Sequence, residues 1–79
     1  MRLDKFLQVS RLIKRRAVAN RLCDHGRIRV NGVVARPSAA VRPGDVITIS
    51  RGDRRVVAKV VSETLAEILS RTTVEEWRA

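Results

Sequence analysis

Basic side chains crowd the first sixteen positions of this chain of 79 residues, and their chemistry is that of polyanion binding. Arginine outnumbers lysine by fourteen to three, and its planar guanidinium grips a phosphate through two parallel hydrogen bonds or stacks on a base. One carboxylate stands among these cations, where it can orient a neighbouring arginine or favour the start of a helix through the helix dipole. The charged residues of interest are Arg2, Asp4, Lys5, Arg11, Lys14, Arg15 and Arg16.

The net charge of +9 is unevenly distributed along the chain. Residues 1–40 hold ten basic and two acidic side chains, whereas residues 41–79 hold seven and six. The usual reason for such a bias in a small domain is a nucleic-acid partner. A membrane surface is less favoured, because the basic segments lack the broad Trp, Phe and Leu face of an interfacial helix. No apolar run approaches membrane-spanning length, so we expect no membrane helix.

Catalytic residue types are scarce. His25 is the single histidine and stands next to Gly26, far from any obvious nucleophile. Cys23 belongs to the apolar face of a predicted helix, where a free cysteine behaves as a small hydrophobe. Cys23 and His25 lack further ligands for zinc, and the sequence contains no Walker-type or dinucleotide-binding glycine loop. We therefore expect a protein without enzymatic activity and without a cofactor.

Two short amphipathic helices must position the basic residues. Residues 3–9 place their apolar side chains on one side at helical spacing, and a second helix is predicted over residues 15–25, with Gly26 as the residue that ends it. The first turn of that helix carries three consecutive cations, at Lys14, Arg15 and Arg16. The helix dipole disfavours cations there, and lysine is a poor cap. Such a local conflict is typical of a functional site.

Beyond residue 26 the apolar period changes to two, which predicts a small antiparallel or mixed sheet. Asn31-Gly32 predicts a type I′ hairpin turn, and Pro43-Gly44 predicts a type II turn. Thr64 and Glu67 have capping-box spacing, which favours a short helix near the C-terminus. The predicted fold is α+β, with one domain over residues 1–62 and a C-terminal helix or tail over residues 63–79.

Several short motifs follow one another in a fixed order. They are Arg2-Leu3-Asp4-Lys5, a basic turn that ends in Arg16, then Ala19, Leu22, Gly26, Val30-Asn31-Gly32 and Pro43-Gly44-Asp45. In this order they resemble the S4-type RNA-binding domain, from Arg2 to about Ile49. Most members place Ser or Thr at the position of Arg15, so this chain replaces a helix cap with a charge.

The resemblance implies that the two helices form an RNA face and that the sheet supports them. On that face Asp4 would orient an arginine or accept a hydrogen bond from a ribose hydroxyl. The side chains that would grip phosphates are those of Arg2, Lys5, Arg11, Lys14, Arg15 and Arg16. An arginine-rich face with few aromatic residues suits structured RNA, which proteins read mainly through its backbone shape and hydroxyls.

The fuller string Arg2-Leu3-Asp4-Lys5-Phe6-Leu7, together with Arg11 and Lys14-Arg15-Arg16, is similar to two groups of stand-alone bacterial S4 proteins, the 15-kDa heat-shock protein and the RqcP group. The former usually carries a long basic C-terminal extension, whereas this chain stops at Ala79 after an acidic Glu75-Glu76, which favours the RqcP group. That resemblance implies a cytoplasmic factor that binds 23S rRNA and peptidyl-tRNA on obstructed large ribosomal subunits. It would support alanine tailing of stalled chains beside a tRNA-recruiting factor of the RqcH/NEMF type. We expect a monomer.

Three alternatives stay open at this point. The first is an S4 factor of ribosome assembly or subunit recycling. The second is a DNA-binding module, although a hairpin directly after the second helix and the lack of a base-reading recognition helix argue against it. The third is a protein-interaction domain that uses Trp77 and an apolar face formed by Leu65, Ile68 and Leu69.

Overall fold

A computed structural model of the chain describes residues 1–73 and has the expected α+β architecture. Within residues 1–73, one antiparallel sheet contains all five strands in the order β2-β1-β3-β4-β5. The elements are α1 (Leu3–Val9), α2 (Arg16–Asp24), β1 (Ile28–Val30), β2 (Val33–Val34), β3 (Val46–Arg51), β4 (Arg54–Val60) and β5 (Ala66–Thr73). No helix within residues 1–73 is long and apolar enough to cross a membrane. Trp77 lies outside the described residues.

The apolar sides of both helices face one side of the sheet and form the core with it. From α1, Leu3, Phe6 and Leu7 are fully buried, and α2 contributes Ala19 and Cys23. The sheet supplies the alternate positions of its central strands, which are Ile28, Ile47, Ile49, Ala58 and Val60. Because side chains alternate across a strand, the residues between these positions point to the other face of the sheet.

Main-chain hydrogen bonds fix the start of α1 against residues 37–41. The N–H of Leu3 donates to the carbonyl of Ala39 at 2.8 Å, and the N–H of Val41 donates to the carbonyl of Met1 at 2.8 Å. The amino group of Met1 lies 3.4 Å from the carbonyl oxygen of Val41, 40 positions away. The first N–H groups of a helix have no partner within it, so the loop takes the place of a side-chain cap.

Helix α2 begins one residue later than predicted, because Arg15 and not Lys14 is its N-cap residue. The side chain of Arg15 makes no capping hydrogen bond, so the expectation of a poorly capped start is confirmed. At the other end Gly26 takes φ +70, which favours glycine because it has no Cβ. The N–H of Gly26 donates to the carbonyl of Cys23, and the N–H of Arg27 to that of Leu22. This is the Schellman pattern that ends helices, and it aims the chain into β1.

Both predicted turns are confirmed. Asn31 and Gly32 have φ values of +52 and +83, as a type I′ turn requires. Gly44 has φ +96, and the N–H of Asp45 donates to the carbonyl of Arg42 at 3.1 Å, which closes the type II turn. The side chain of Asn31 also links the two turns, because its Nδ2 donates to Asp45 at 3.1 Å and its Oδ1 accepts from the N–H of Val46 at 2.9 Å.

Asn31→Ala should therefore lower the free energy of unfolding by about 1–2 kcal/mol, through the loss of two side-chain hydrogen bonds and the strain of alanine at positive φ. Urea denaturation followed by circular dichroism measures this change. Asn31→Gly keeps the backbone freedom and should lose less stability than Asn31→Ala. If Asn31→Ala unfolds at the wild-type urea concentration, the side chain does not hold the turns together.

The prediction of a helix near residues 64–69 is wrong, because this segment enters β5. The register pairs Ala66 with Val60 and continues to the pair of Thr73 with Arg54, with a bulge between Val57 and Ala58. A capping box would supply two local hydrogen bonds. The edge of β4 instead presents a whole row of unpaired N–H and C=O groups, with which this segment forms more hydrogen bonds. The longer ladder outweighs the local signal, and the C-terminal segment as far as residue 73 belongs to the sheet.

Candidate RNA-binding site

Asp4 is the buried centre of the N-terminal basic region. It lies in the first turn of α1, and only 1% of its surface is exposed. Asn20 on α2 donates from Nδ2 to one carboxylate oxygen at 2.7 Å, and the backbone N–H of Lys5 donates to the other at 2.8 Å. The carboxylate thus joins the two helices at the point where the basic side chains begin.

Two arginines complete the shell around this carboxylate. Arg2 contacts it from Nε and Nη2, both at 3.3 Å, and Arg16 contacts it from Nη2 at 3.4 Å and from Nε at 3.2 Å. Their side chains are 54% and 42% exposed, whereas that of Asp4 is 1% exposed. Each guanidinium is therefore oriented from the protein side and keeps N–H groups on the solvent side, where a phosphate can reach them.

The electrostatics keep Asp4 ionised. Burial raises the pKa of its carboxyl, but hydrogen bonds from Arg16 and from the backbone of Lys5 and the charges of Arg16 and Arg2 outweigh burial. The resulting pKa lies below the ordinary value of 3.8. The cluster of Arg2, Asp4 and Arg16 thus retains one net positive charge at neutral pH.

This geometry supports one of the two roles expected for Asp4. A carboxylate whose oxygens already accept from four donor groups is a positioning residue, since it orients Arg2 and Arg16. A ribose hydroxyl would have to displace one of these donors to reach a side chain that is 1% exposed. The two guanidiniums are therefore the groups that an RNA phosphate could reach at this point, and their RNA contact stays a prediction.

Asn20 is a member of the site that the sequence analysis did not single out. It follows Arg16 by one helical turn, and residues four apart share a face of a helix. That spacing was the available signal, but it identifies Asn20 only once Asp4 is known to be buried opposite α2. The short contact of 2.7 Å makes Asn20 the donor closest to the carboxylate.

The other predicted cations fall into a second group. Arg11, Lys14 and Arg15 are exposed on or next to the connection between the helices and line an open groove of about 510 Å³. Arg11 takes φ +63, an uncommon conformation for a residue with a Cβ. Lys5 is exposed on α1 and belongs to neither group through its side chain. The RNA contacts of all these cations stay predictions.

Cys23 is buried beneath the Asp4 cluster. Burial, followed by the negative charges of Asp4 and Asp24, raises the pKa of its thiol to about 11. The thiol is therefore protonated at neutral pH and serves as a core side chain. Among residues 1–73, no group of three or more His, Cys, Asp and Glu side chains is arranged to hold a metal ion.

We expect iodoacetamide to modify Cys23 slowly in the folded protein, because roughly one thiol in a thousand is ionised at pH 8 when the pKa is near 11. Mass spectrometry of timed samples would measure the rate. The same protein in concentrated urea is the control and should react at the rate of an ordinary free thiol. Equal rates in the two conditions would show that Cys23 is accessible in the folded state.

The part of the chain that contains the helices and the basic residues matches a known domain family. A model of the S4 domain family matches residues 1–47, more than half of the chain. The chain belongs to the S4 domain family. The match contains both helices of this S4 domain, the Asp4 cluster, the hairpin of β1 and β2 and the turn before β3.

Relatives of known name lie in the two groups that the sequence resembles. The RQC P-site tRNA stabilizing factor of Listeria monocytogenes is 55% identical over 60 residues, which are 76% of this chain and 65% of the relative. The chain therefore matches just under two thirds of that relative's length. The factor of the same name from Streptococcus pneumoniae is 42% identical over 86 aligned positions, covering 96% of this chain and 98% of the relative.

The fold has a solved counterpart in Heat Shock Protein 15 of Vibrio cholerae. Its structure superposes with a TM-score of 0.78 at 26% sequence identity and covers 89% of this chain and 82% of that chain. The S4 prediction and the α+β fold prediction are thereby confirmed. The Vibrio structure is described as trimeric, and the monomer expected for the present chain stays a prediction.

Proposed function

We propose that this S4 domain protein acts in ribosome-associated quality control. In this proposal it stabilises peptidyl-tRNA in the P site of obstructed large ribosomal subunits while the stalled chain receives its alanine tail. The support is the relatives named RQC P-site tRNA stabilizing factor, of which the Streptococcus protein aligns over almost the whole of both chains. The activity is binding, and we assign no chemical step to the protein.

The structural observation that carries the proposal is the carboxylate-anchored pair of Arg2 and Arg16. Structured RNA offers a rigid array of phosphates and hydroxyls and few accessible base edges. A matching protein surface needs cations whose directions are fixed before contact, because ordering a long side chain costs about 0.5–1.5 kcal/mol on binding. Asp4 fixes both guanidiniums from a buried position, so part of that cost is met during folding.

The exposed cations of α1, α2 and their connection extend this surface in the proposed complex. They would hold 23S rRNA on one side and the tRNA on the other, so that the tRNA keeps its position between rounds of elongation. A factor of the RqcH/NEMF type would deliver each new tRNA, and the process would take place in the cytoplasm. These finer partners are part of the proposal.

The decisive experiment is equilibrium binding to purified large ribosomal subunits with and without a tRNA in the P site. We expect clearly tighter binding when the tRNA is present, since its phosphates add to the contact. Precursor large-subunit particles serve as a third sample. Preferential binding to precursors, or equal binding with and without tRNA, would contradict the proposal and favour a role in assembly or recycling.

Binding should depend steeply on salt. If the six predicted cations each engage a phosphate, the affinity should fall with a log–log slope of roughly −4 to −5 against salt concentration. A titration of the complex with potassium chloride, followed by fluorescence anisotropy of labelled protein, gives this slope. A slope near zero would show that phosphate contacts do not dominate. The six side chains are Arg2, Lys5, Arg11, Lys14, Arg15 and Arg16.

A further inference from the structure

Four arginines surround a small cleft where the β3–β4 hairpin ends. The cleft measures about 160 Å³, and its apolar floor is formed by Leu12, Ile49 and Val56. We call the four arginines the strand-end cluster, and they are Arg11, Arg51, Arg54 and Arg71. Three of them lie beyond residue 47, outside the part of the chain that the S4 family model covers.

The sheet register explains why these side chains converge. Arg51 and Arg54 are directly opposite each other at the end of the β3–β4 pair, and Arg71 on β5 is opposite Val56. Ile49, Val56 and Arg71 lie side by side across three neighbouring strands. Ile49 is buried in the core, so this row lies on the core face of the sheet. Because residues two apart share a face of a strand, Arg51 and Arg54 lie on that same face, just beyond the layer of helices.

This placement is unfavourable for the fold alone. Like charges directly opposite each other on neighbouring strands are destabilising, and the helix side of a sheet normally carries apolar residues. The ion pairs within the described residues are the two made by Asp4, so no described carboxylate neutralises the cluster. Asp53 stands in the turn between Arg51 and Arg54 and is exposed. A conflict of this kind is typical of a binding surface.

The cleft is continuous with the groove at the connection of the helices. Arg11 and Arg51 line both concavities, and the groove also carries Lys14 and Arg15. A strip of cations therefore runs from the first turn of α2 across the connection to the far end of the sheet. An RNA backbone that contacts Lys14 and Arg15 would meet the strand-end cluster next.

We propose that the strand-end cluster is a second phosphate-binding site for the backbone of structured RNA, in addition to the Asp4-anchored pair on the helices. This inference rests on the function proposed above and deepens it, because two separate sites allow one small domain to hold RNA at two places. A guanidinium above an apolar floor attracts a phosphate more strongly than a guanidinium surrounded by water does, because the local dielectric constant is lower.

The dimensions of the cleft favour a backbone over a small ligand. Sites for drug-sized molecules usually have volumes of about 300–1,000 Å³, and this cleft is smaller. Single-stranded RNA is held by aromatic stacking platforms, but the chain contains one Phe and one Trp, and the Phe is buried in the core. Successive phosphates of a double-stranded RNA segment therefore fit the cluster best.

The test compares two variants that each lose three positive charges. R51Q/R54Q/R71Q removes three of the four arginines of the strand-end cluster and leaves Arg11 in place, and R29Q/R42Q/K59Q is the matched control. Arg29 and Lys59 lie on the open face of the sheet, next to buried positions of the same strands, and Arg42 lies before the start of β3. Both variants are titrated against purified large ribosomal subunits with and without a P-site tRNA, over a range of potassium chloride concentrations.

We expect the cluster variant to lose about tenfold or more in affinity and its salt slope to become shallower by about 2 to 3, while the control changes much less. A loss on subunits without tRNA assigns the phosphates to ribosomal RNA, and a loss confined to subunits with tRNA assigns them to the tRNA. Unchanged binding of the cluster variant, or an equal loss in the control, would overturn the inference.

Two further readouts separate the inference from the proposed function and from misfolding. If the cluster variant binds like wild type while wild-type binding still depends on tRNA, the inference fails and the proposed function stands. If wild-type protein binds no subunits, both fail. The melting temperature of the cluster variant should equal or exceed that of wild type, because the substitutions relieve repulsion between Arg51 and Arg54.

Discussion

Asp4→Asn is expected to weaken the fold and RNA binding in one step, because a single buried carboxylate anchors both Arg2 and Arg16. The free energy of unfolding should fall by about 1–3 kcal/mol, because one of the two acceptor oxygens in a buried hydrogen-bond network is replaced by an NH2 donor. The lower part of this range applies because both arginines are about half exposed and solvent screens their charges. RNA affinity should fall about tenfold or more. Urea denaturation and subunit binding measure the two effects.

The stability difference between wild type and Asp4→Asn should also depend on pH. The pKa of Asp4 is lower in the folded protein than its ordinary value of 3.8. The ionised carboxylate therefore adds stability at pH values above about 4, and this contribution is lost as the pH falls through the folded pKa. The difference in urea midpoint should accordingly be full at pH 7 and should shrink below pH 4.

Asp24→Asn is the matched control for Asp4→Asn. Asp24 is an exposed aspartate at the end of α2, and its replacement changes the net charge by the same amount. We expect little change in stability or RNA binding. If Asp4→Asn bound RNA as tightly as wild type, Asp4 would act only as a core hydrogen-bond acceptor, and its orienting role would have to be abandoned.

Arg16→Ala is expected to weaken subunit binding with little effect on folding. A charge-assisted hydrogen bond contributes about 1.5–3 kcal/mol, so the affinity should fall about tenfold to a hundredfold. Stability should change by less than about 1 kcal/mol, since the ion pair of Arg16 with Asp4 is partly exposed. Arg16→Lys keeps the charge but lacks the planar fork and should recover only part of the affinity.

Arg21→Ala provides the control for charge on the same helix. Arg21 is exposed on α2 and stands outside the predicted contact set, so it should lose much less affinity than Arg16→Ala. The double variant that combines Asp4→Asn with Arg16→Ala adds a stricter test. If Asp4 acts through Arg16, the binding energy lost by the double variant should be smaller than the sum of the losses of the two single variants. Simple additivity would mean that the residues act independently.

The parts of the fold that could be predicted are those fixed by neighbours in sequence. The apolar spacing of α1, the glycine that ends α2 and the Asn31-Gly32 turn each specify a conformation within a few residues. The strand β5 could not be predicted in this way, because it forms by pairing with the edge of β4. That pairing depends on residues outside the segment, so the sequence of the segment itself does not indicate it. Capping-box spacing at Thr64 and Glu67 therefore indicated the wrong element.

The same distinction between local and long-range features applies to the candidate site. Charge counting identifies the cations of the N-terminal region, and a carboxylate among them is visible in the sequence. The burial of Asp4 under its partners is a tertiary property, and Asn20 joins the site only because α2 crosses α1 at that point. The convergence of Arg51, Arg54 and Arg71 depends on strand register, which the sequence analysis did not assign.

The attachment of the N-terminus to residues 37–41 has a consequence for how the domain folds. Helix α1 is too short to be stable alone, and the loop that supplies partners for its first N–H groups lies about 40 positions away. Bringing ends this far apart together costs chain entropy on the order of 3 kcal/mol. The first helix therefore gains its order from a long-range closure. Arg2, the residue before α1, takes its final direction only after residues 37–41 are in place, so we expect binding competence to appear late in folding.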